Sequence, residues 1–135
     1  MSLQQPAARS LTFTGRVRSF SFAIRGVGVM LRSQQNAWIH ASATVAVCAA
    51  GVFFGLSRDE WCWIVLALVA VWTAEALNTA LEFLTDVASP EFNPTAGHAK
   101  DVAAGAVLIA SIGALLVGVL VLGPHLLVTL RWTTP

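Results

Sequence analysis

Three long apolar stretches, each ended by charge or by glycine and proline, set the pattern of this chain. The first runs from Ala37 to Leu56 and the third from Val102 to Leu122, where Gly123-Pro124 interrupts it. Each is about the ~20 residues a helix needs to cross a ~30 Å hydrocarbon core. The second, from Trp61, stays apolar for only fourteen residues before Glu75. At ~1.5 Å per residue it reaches about 21 Å, too short to cross. The helix must therefore continue through Ala76 to Leu81 toward Glu82, which puts Glu75 at or just inside the membrane boundary. Ahead of these spans, Phe13, Val17, Phe20, Ile24, Val27 and Leu31 recur at spacings of four and three, with Arg18, Arg25 and Arg32 on the other side. Such a pattern predicts a helix lying in the membrane surface, with packing on another protein as the alternative.

Composition agrees. Apolar residues make up 56% of the 135 residues and charged residues 11%, with mean hydropathy +0.72. A soluble domain carries about 25% charged residues, so a water-covered surface could not be built from this chain. The expected fold class is an all-α integral membrane protein: an N-terminal amphipathic surface helix plus three transmembrane helices in an oligomeric bundle. One domain is expected over 13–130, with the surface helix at 13–33 and spans at 37–56, 61–86 and 95–122. Residues 1–12 are expected to be a flexible N-terminus and 131–135 a tail. The net charge of +1 gives no reason to expect nucleic acid as a partner. Cys48 and Cys62 sit inside apolar runs and read as small hydrophobes rather than a disulfide or metal pair. No signal-peptide pattern is visible, so the apolar segments are expected to stay in the mature protein.

Basic residues set the expected orientation. Arg9, Arg16, Arg18, Arg25 and Arg32 precede the first span, and with three spans Lys100 falls on the same side, against Arg58 and Arg131 outside. The N-terminus and the loop between spans two and three should then be cytoplasmic. Trp61, Trp63 and Trp132 fit the outer interface. Gly51 with Gly55, and Ala106, Ala110, Ala114 and Gly118, are small-residue rows expected to bring helix backbones close.

The candidate chemistry lies at one end. Glu75, Asn78, Glu82 and Asp86 are spaced three, four and four, and so share one helix face. Glu91, Asn93, His98 and the pair Lys100-Asp101 follow, and five of the seven acidic residues lie between Glu75 and Asp101. Phosphoryl transfer suits this set. Magnesium takes one or two carboxylates plus phosphate oxygens, a lysine supplies a point charge, and a carboxylate near the bilayer can take a proton from a lipid hydroxyl. No Gly-rich phosphate loop or protein-kinase motif set occurs, so a nucleotide must be held some other way. The bland readings are a solvated loop for Asp86 and Glu91, a helix anchor for Lys100-Asp101 and a helix bridge for Asn78.

The stretch Ala74-Glu75-Ala76-Leu77-Asn78-Thr79-Ala80-Leu81-Glu82, with Asp86, Ser89-Pro90-Glu91 and Ala99-Lys100-Asp101-Val102-Ala103-Ala104-Gly105, closely resembles the prokaryotic diacylglycerol kinase and undecaprenol kinase family. The likeness runs from about Phe20 to the end of span three. It implies an ATP-dependent lipid kinase, a homotrimer with shared sites, using Mg²⁺ with ATP as co-substrate. It implies Glu75 as catalytic base, Asn78 as a residue ordering the site and Glu82 as a metal ligand. Lys100, Asp101 and the loop Glu91-Phe92-Asn93 would contact ATP, with Phe22 near the adenine, and Asn36 to His40 matches a lipid-side stretch. One position departs: where the family often has a metal-binding Glu, this chain has Gln34, whose amide can ligate magnesium but brings no charge. His98 is a milder departure. The Ser-Pro-Glu-Phe-Asn-Pro loop leans toward the undecaprenol kinases. Two other classes are weighed: a kinase-derived scaffold without activity, which Gln34 keeps open, and a proton-coupled transporter. The latter fits poorly with three spans, no internal repeat and acids crowded at one end.

Overall fold

A computed structural model of the chain describes residues 13–133, all helical but for short connections: α1 Phe13–Ser33, α2 Gln35–Phe54, α3 Arg58–Ala88 and α4 Pro94–Thr133. The expected N-terminal segment 1–12 lies outside the described residues, as do 134 and 135. The all-α architecture expected from the hydropathy pattern is the one found, and α2, α3 and α4 are each long and apolar enough to cross a membrane. Their large apolar side chains, Phe53, Val65, Leu84, Ile109 and Leu120 among them, face outward. Only lipid or further protein can cover them.

Each connection carries its own signal. Gly55 ends α2 in the left-handed region (φ 67°, ψ 47°), and the Gly55 and Leu56 N–H groups donate to the carbonyls of Val52 and Gly51. Ser57 then opens α3: its hydroxyl accepts from the Glu60 N–H at 3.4 Å, and Glu60 Oε2 accepts from the Ser57 N–H at 2.8 Å. At the other end Asn93 Oδ1 accepts from the N–H of Thr95 (2.9 Å) and Ala96 (3.4 Å), with Pro94 at the first helical position. α3 and α4 pack antiparallel along most of their length, whereas α2 meets both sparsely, leaving space between. On α1, Val17, Phe20, Ile24 and Val27 form an exposed apolar stripe.

Three expectations are corrected. The third apolar helix does not stop at Gly123-Pro124, because α4 continues through Pro124 to Thr133. Proline removes one backbone donor and crowds the preceding turn, yet spanning helices tolerate it where neighbours hold both sides. Here His125 Nε2 lies 2.7 Å from Glu60 Oε1, and the Phe54 ring stacks on His125 at 6.0 Å, tying the turn beyond the proline to α3 and α2. Second, Gly51 and Gly55 do not bring two backbones together. A Cβ on Gly51 would lie 2.8 Å from the Trp61 ring, so Gly51 makes room for that indole, and Gly55 ends the helix. Third, the residues that α4 buries fully within the chain are Ala103 and Val107; of the small-residue row, Ala106 is exposed and Ala110, Ala114 and Gly118 are half-buried, with Ala114 and Gly118 lining a cavity rather than touching a backbone.

Candidate active site

Glu75, Asn78 and Glu82 share one face of α3, as their spacing predicts. A ~30 Å hydrocarbon core measured from Arg58 runs out near Asn78. Glu75 is therefore inside it, 0% exposed, with Asn78 at 5% and Glu82 half-buried beyond. Gln34 reaches this face because it is the one extended residue between α1 and α2 (φ −112°, ψ 120°), which turns the chain from the Arg-rich helix into the first span. Its Nε2 donates to Glu82 Oε2 at 2.5 Å, while Asn78 Nδ2 donates to Glu82 Oε1 at 2.9 Å. Both oxygens of Glu82 are held by neutral amides. A carboxylate at position 34 would instead face Glu82 with like charge.

Glu75 has a different setting. Among the described residues neither oxygen has a hydrogen-bond partner, and His40 Nε2 of α2 lies 3.8 Å from Oε2, too far for a hydrogen bond. His40 is fixed from behind: Trp72 Nε1 donates to Thr44 Oγ1 (3.1 Å), Thr44 donates to the His40 carbonyl (2.7 Å), and the Trp72 ring meets the imidazole edge-on. Glu75, Asn78, Glu82, His40, Asn36 and Ser111 line a cavity of about 230 Å³. A second cavity of about 710 Å³, almost wholly apolar, extends between α2, α3 and α4 as far as Phe54 and Leu126. His40 and Ser111 border both.

The remaining predicted residues lie elsewhere. Lys100 is paired with Asp86, joining the loop ends of α4 and α3, and Asp101 is exposed. In the connecting loop Phe92 is 97% exposed, Glu91 is exposed with its carbonyl accepting from the Ser89 hydroxyl, and Asn93 caps α4. Phe22 sits on α1 between the guanidinium groups of Arg18 (5.6 Å) and Arg25 (5.8 Å). The loop and Phe22 are thus not drawn into the cluster around Glu82. Sequence reasoning missed Ser111. The signal was its register: it follows Lys100 by eleven residues, as Glu75 precedes Asp86 by eleven, so antiparallel α3 and α4 put the two at one depth.

A bundle with a buried carboxylate that makes no hydrogen bond, a hydrogen-bonded one a turn or two beyond it and an apolar cavity alongside defines a polytopic membrane protein with a polar site at one end of its spans. The sequence profile described as prokaryotic diacylglycerol kinase matches residues 21–122, and the chain belongs to that family. It is similar to the undecaprenol kinase of Bacillus subtilis (strain 168), 37% identical over 109 residues, or 81% of this chain and 89% of that one. A diacylglycerol kinase of Synechocystis sp. is 39% identical over 110 residues (81% and 63%), and that of Escherichia coli (strain K12) is 29% identical over 116 (78% and 93%).

Proposed function

We propose that this protein is a lipid kinase that transfers the γ-phosphoryl group of ATP to the primary hydroxyl of a membrane lipid, diacylglycerol or undecaprenol, at the cytoplasmic face of a bacterial inner membrane. The observation that carries this reading is Glu75, a buried carboxylate without a hydrogen bond that faces a cavity with Glu82 on one side and the apolar cavity on the other. A lipid alcohol approaching through the apolar cavity brings its O–H to Glu75. Glu75 accepts that proton as the alcohol oxygen forms its bond to the γ-phosphorus, and the bond from that phosphorus to the β–γ bridging oxygen breaks, releasing ADP.

Glu82 is the carboxylate that fits a magnesium ion, with Gln34 able to turn its amide oxygen toward the same ion, and Asn78 orienting Glu82. A magnesium ion held by these two side chains would supply positive charge against the phosphate oxygens. Lys100 is the point charge for the phosphates, which would replace Asp86 as its partner. Asp101, Glu91, Phe92, Asn93 and Phe22 are assigned to ATP from the family resemblance, and Asn36 and His40 to the lipid. Assembly as a homotrimer would cover the outward apolar faces of the spans.

One observation favours a second reading, an impaired kinase acting as a scaffold: the side chain that meets Glu82 from position 34 is a neutral amide, which brings no charge toward a metal. Purified protein given γ-labelled ATP and magnesium, with diacylglycerol and undecaprenol in parallel micelles, separates the two. We expect label in one lipid product. Nucleotide binding with label in neither would favour the scaffold.

A further inference from the structure

Among the described residues, five buried side-chain polar atoms have no hydrogen-bond partner: His40 Nε2, both carboxylate oxygens of Glu75, Asn78 Oδ1 and Ser111 Oγ. Buried polar groups are almost always paired, and leaving one unmade is costly. These five are not scattered. The four residues that carry them come from three helices, and all line the one 230 Å³ cavity. Ser111 is the least expected of them. The hydroxyls of Ser42, Thr44 and Thr79 each donate to the carbonyl four residues back in their helix, the usual resort of a hydroxyl in an apolar span. That of Ser111 does not.

We propose that Ser111 and His40 are hydroxyl-binding residues, which hold the primary alcohol of a lipid against Glu75 while its tail enters the adjoining apolar cavity. An alcohol has one donor and two acceptor sites. Ionised Glu75 only accepts, so it takes the alcohol proton. In the nucleotide-free complex the Ser111 O–H and the His40 Nε2–H donate to the two lone pairs, in the tautomer that carries hydrogen on that nitrogen. The three groups thus match a single hydroxyl, and one of the two donors lets go when the oxygen turns a lone pair to phosphorus. Placement agrees, since His40 and Ser111 border both cavities and so flank the point where a polar head and an apolar tail would part. The choice of a lipid alcohol rests on the kinase reading, but the binding does not require turnover.

The test uses purified protein in detergent without ATP. Farnesol and 1,2-dioctanoylglycerol are each titrated beside the deoxy analogue of the same molecule, with hydrogen in place of the hydroxyl, and binding is read by tryptophan fluorescence. The wild type should prefer at least one alcohol over its deoxy analogue by roughly tenfold, the worth of a hydrogen bond or two. Ser111→Ala should lower that preference several-fold, and Ser111→Thr should keep it. His40→Ala is a second route to the same loss. Lipid-free Ser111→Ala should melt no lower than wild type, because it removes a hydroxyl without a partner. In turnover it should raise the KM for lipid and leave the KM for ATP unchanged. An undiminished alcohol preference in Ser111→Ala, or no preference in the wild type, would overturn the proposal. A protein that prefers the alcohol yet transfers no label would overturn the kinase reading and leave this one standing.

Discussion

Glu75→Gln should cut lipid phosphorylation by about 10²–10⁴-fold, the range that a positioned general base contributes. The substitution keeps shape and volume and removes only the charge and the proton-accepting oxygen. Because Glu75 is buried and neither oxygen has a hydrogen bond, its folding role is small or negative. Burying an unpaired charge is unfavourable, so the neutral amide should leave the melting temperature unchanged or raise it. Nucleotide affinity should hardly move, since Glu75 touches neither Glu82 nor Lys100 through any hydrogen bond. Loss of turnover with intact folding and intact ATP binding separates a proton acceptor from a structural carboxylate. Wild-type turnover in this variant would end the assignment.

Glu82→Gln is expected to lower kcat/KM for Mg-ATP by at least about 10²-fold, since a metal-held phosphate contributes several kcal/mol of charge stabilisation. Among the described residues Glu82 is the carboxylate that Gln34 and Asn78 meet by hydrogen bond, and Gln34 carries no charge to substitute for it. The effect should fall on the nucleotide side: raising magnesium should recover part of the loss, while the KM for lipid stays near wild type. Titrating magnesium at fixed lipid checks this. A variant with unaltered magnesium dependence would place the metal elsewhere, with Asp86 and Asp101 the carboxylates to examine next.

How much of this was legible beforehand divides along physical lines. Hydropathy and length marked the three spans because lipid imposes one requirement on every residue of a segment. The face shared by Glu75, Asn78 and Glu82 was equally plain, since helical periodicity is local. What escaped depended on partners far apart in sequence. Pro124 read as a stop because nothing nearby reveals that His125 meets Glu60, sixty-five residues away. Gly51 read as half of a backbone-contact motif because the indole that needs its space belongs to the next helix. Gln34 read as a lost charge, and only the fold shows it donating to Glu82 across forty-eight residues. Ser111 drew no notice as a single hydroxyl in an apolar run, yet antiparallel packing sets it level with Glu75.

The same register gives the account its direction. The buried acid, the edge carboxylate and the lysine follow one another toward one end of the bundle, the end that we propose, from the distribution of basic residues, to be cytoplasmic. Membrane vesicles of known sidedness, supplied with γ-labelled ATP, magnesium and the lipid alcohol, test this most directly. Labelled lipid should form when the former cytoplasmic face is outward, and not in right-side-out vesicles until they are permeabilised. Labelling from the exterior face of intact right-side-out vesicles would contradict the mechanism.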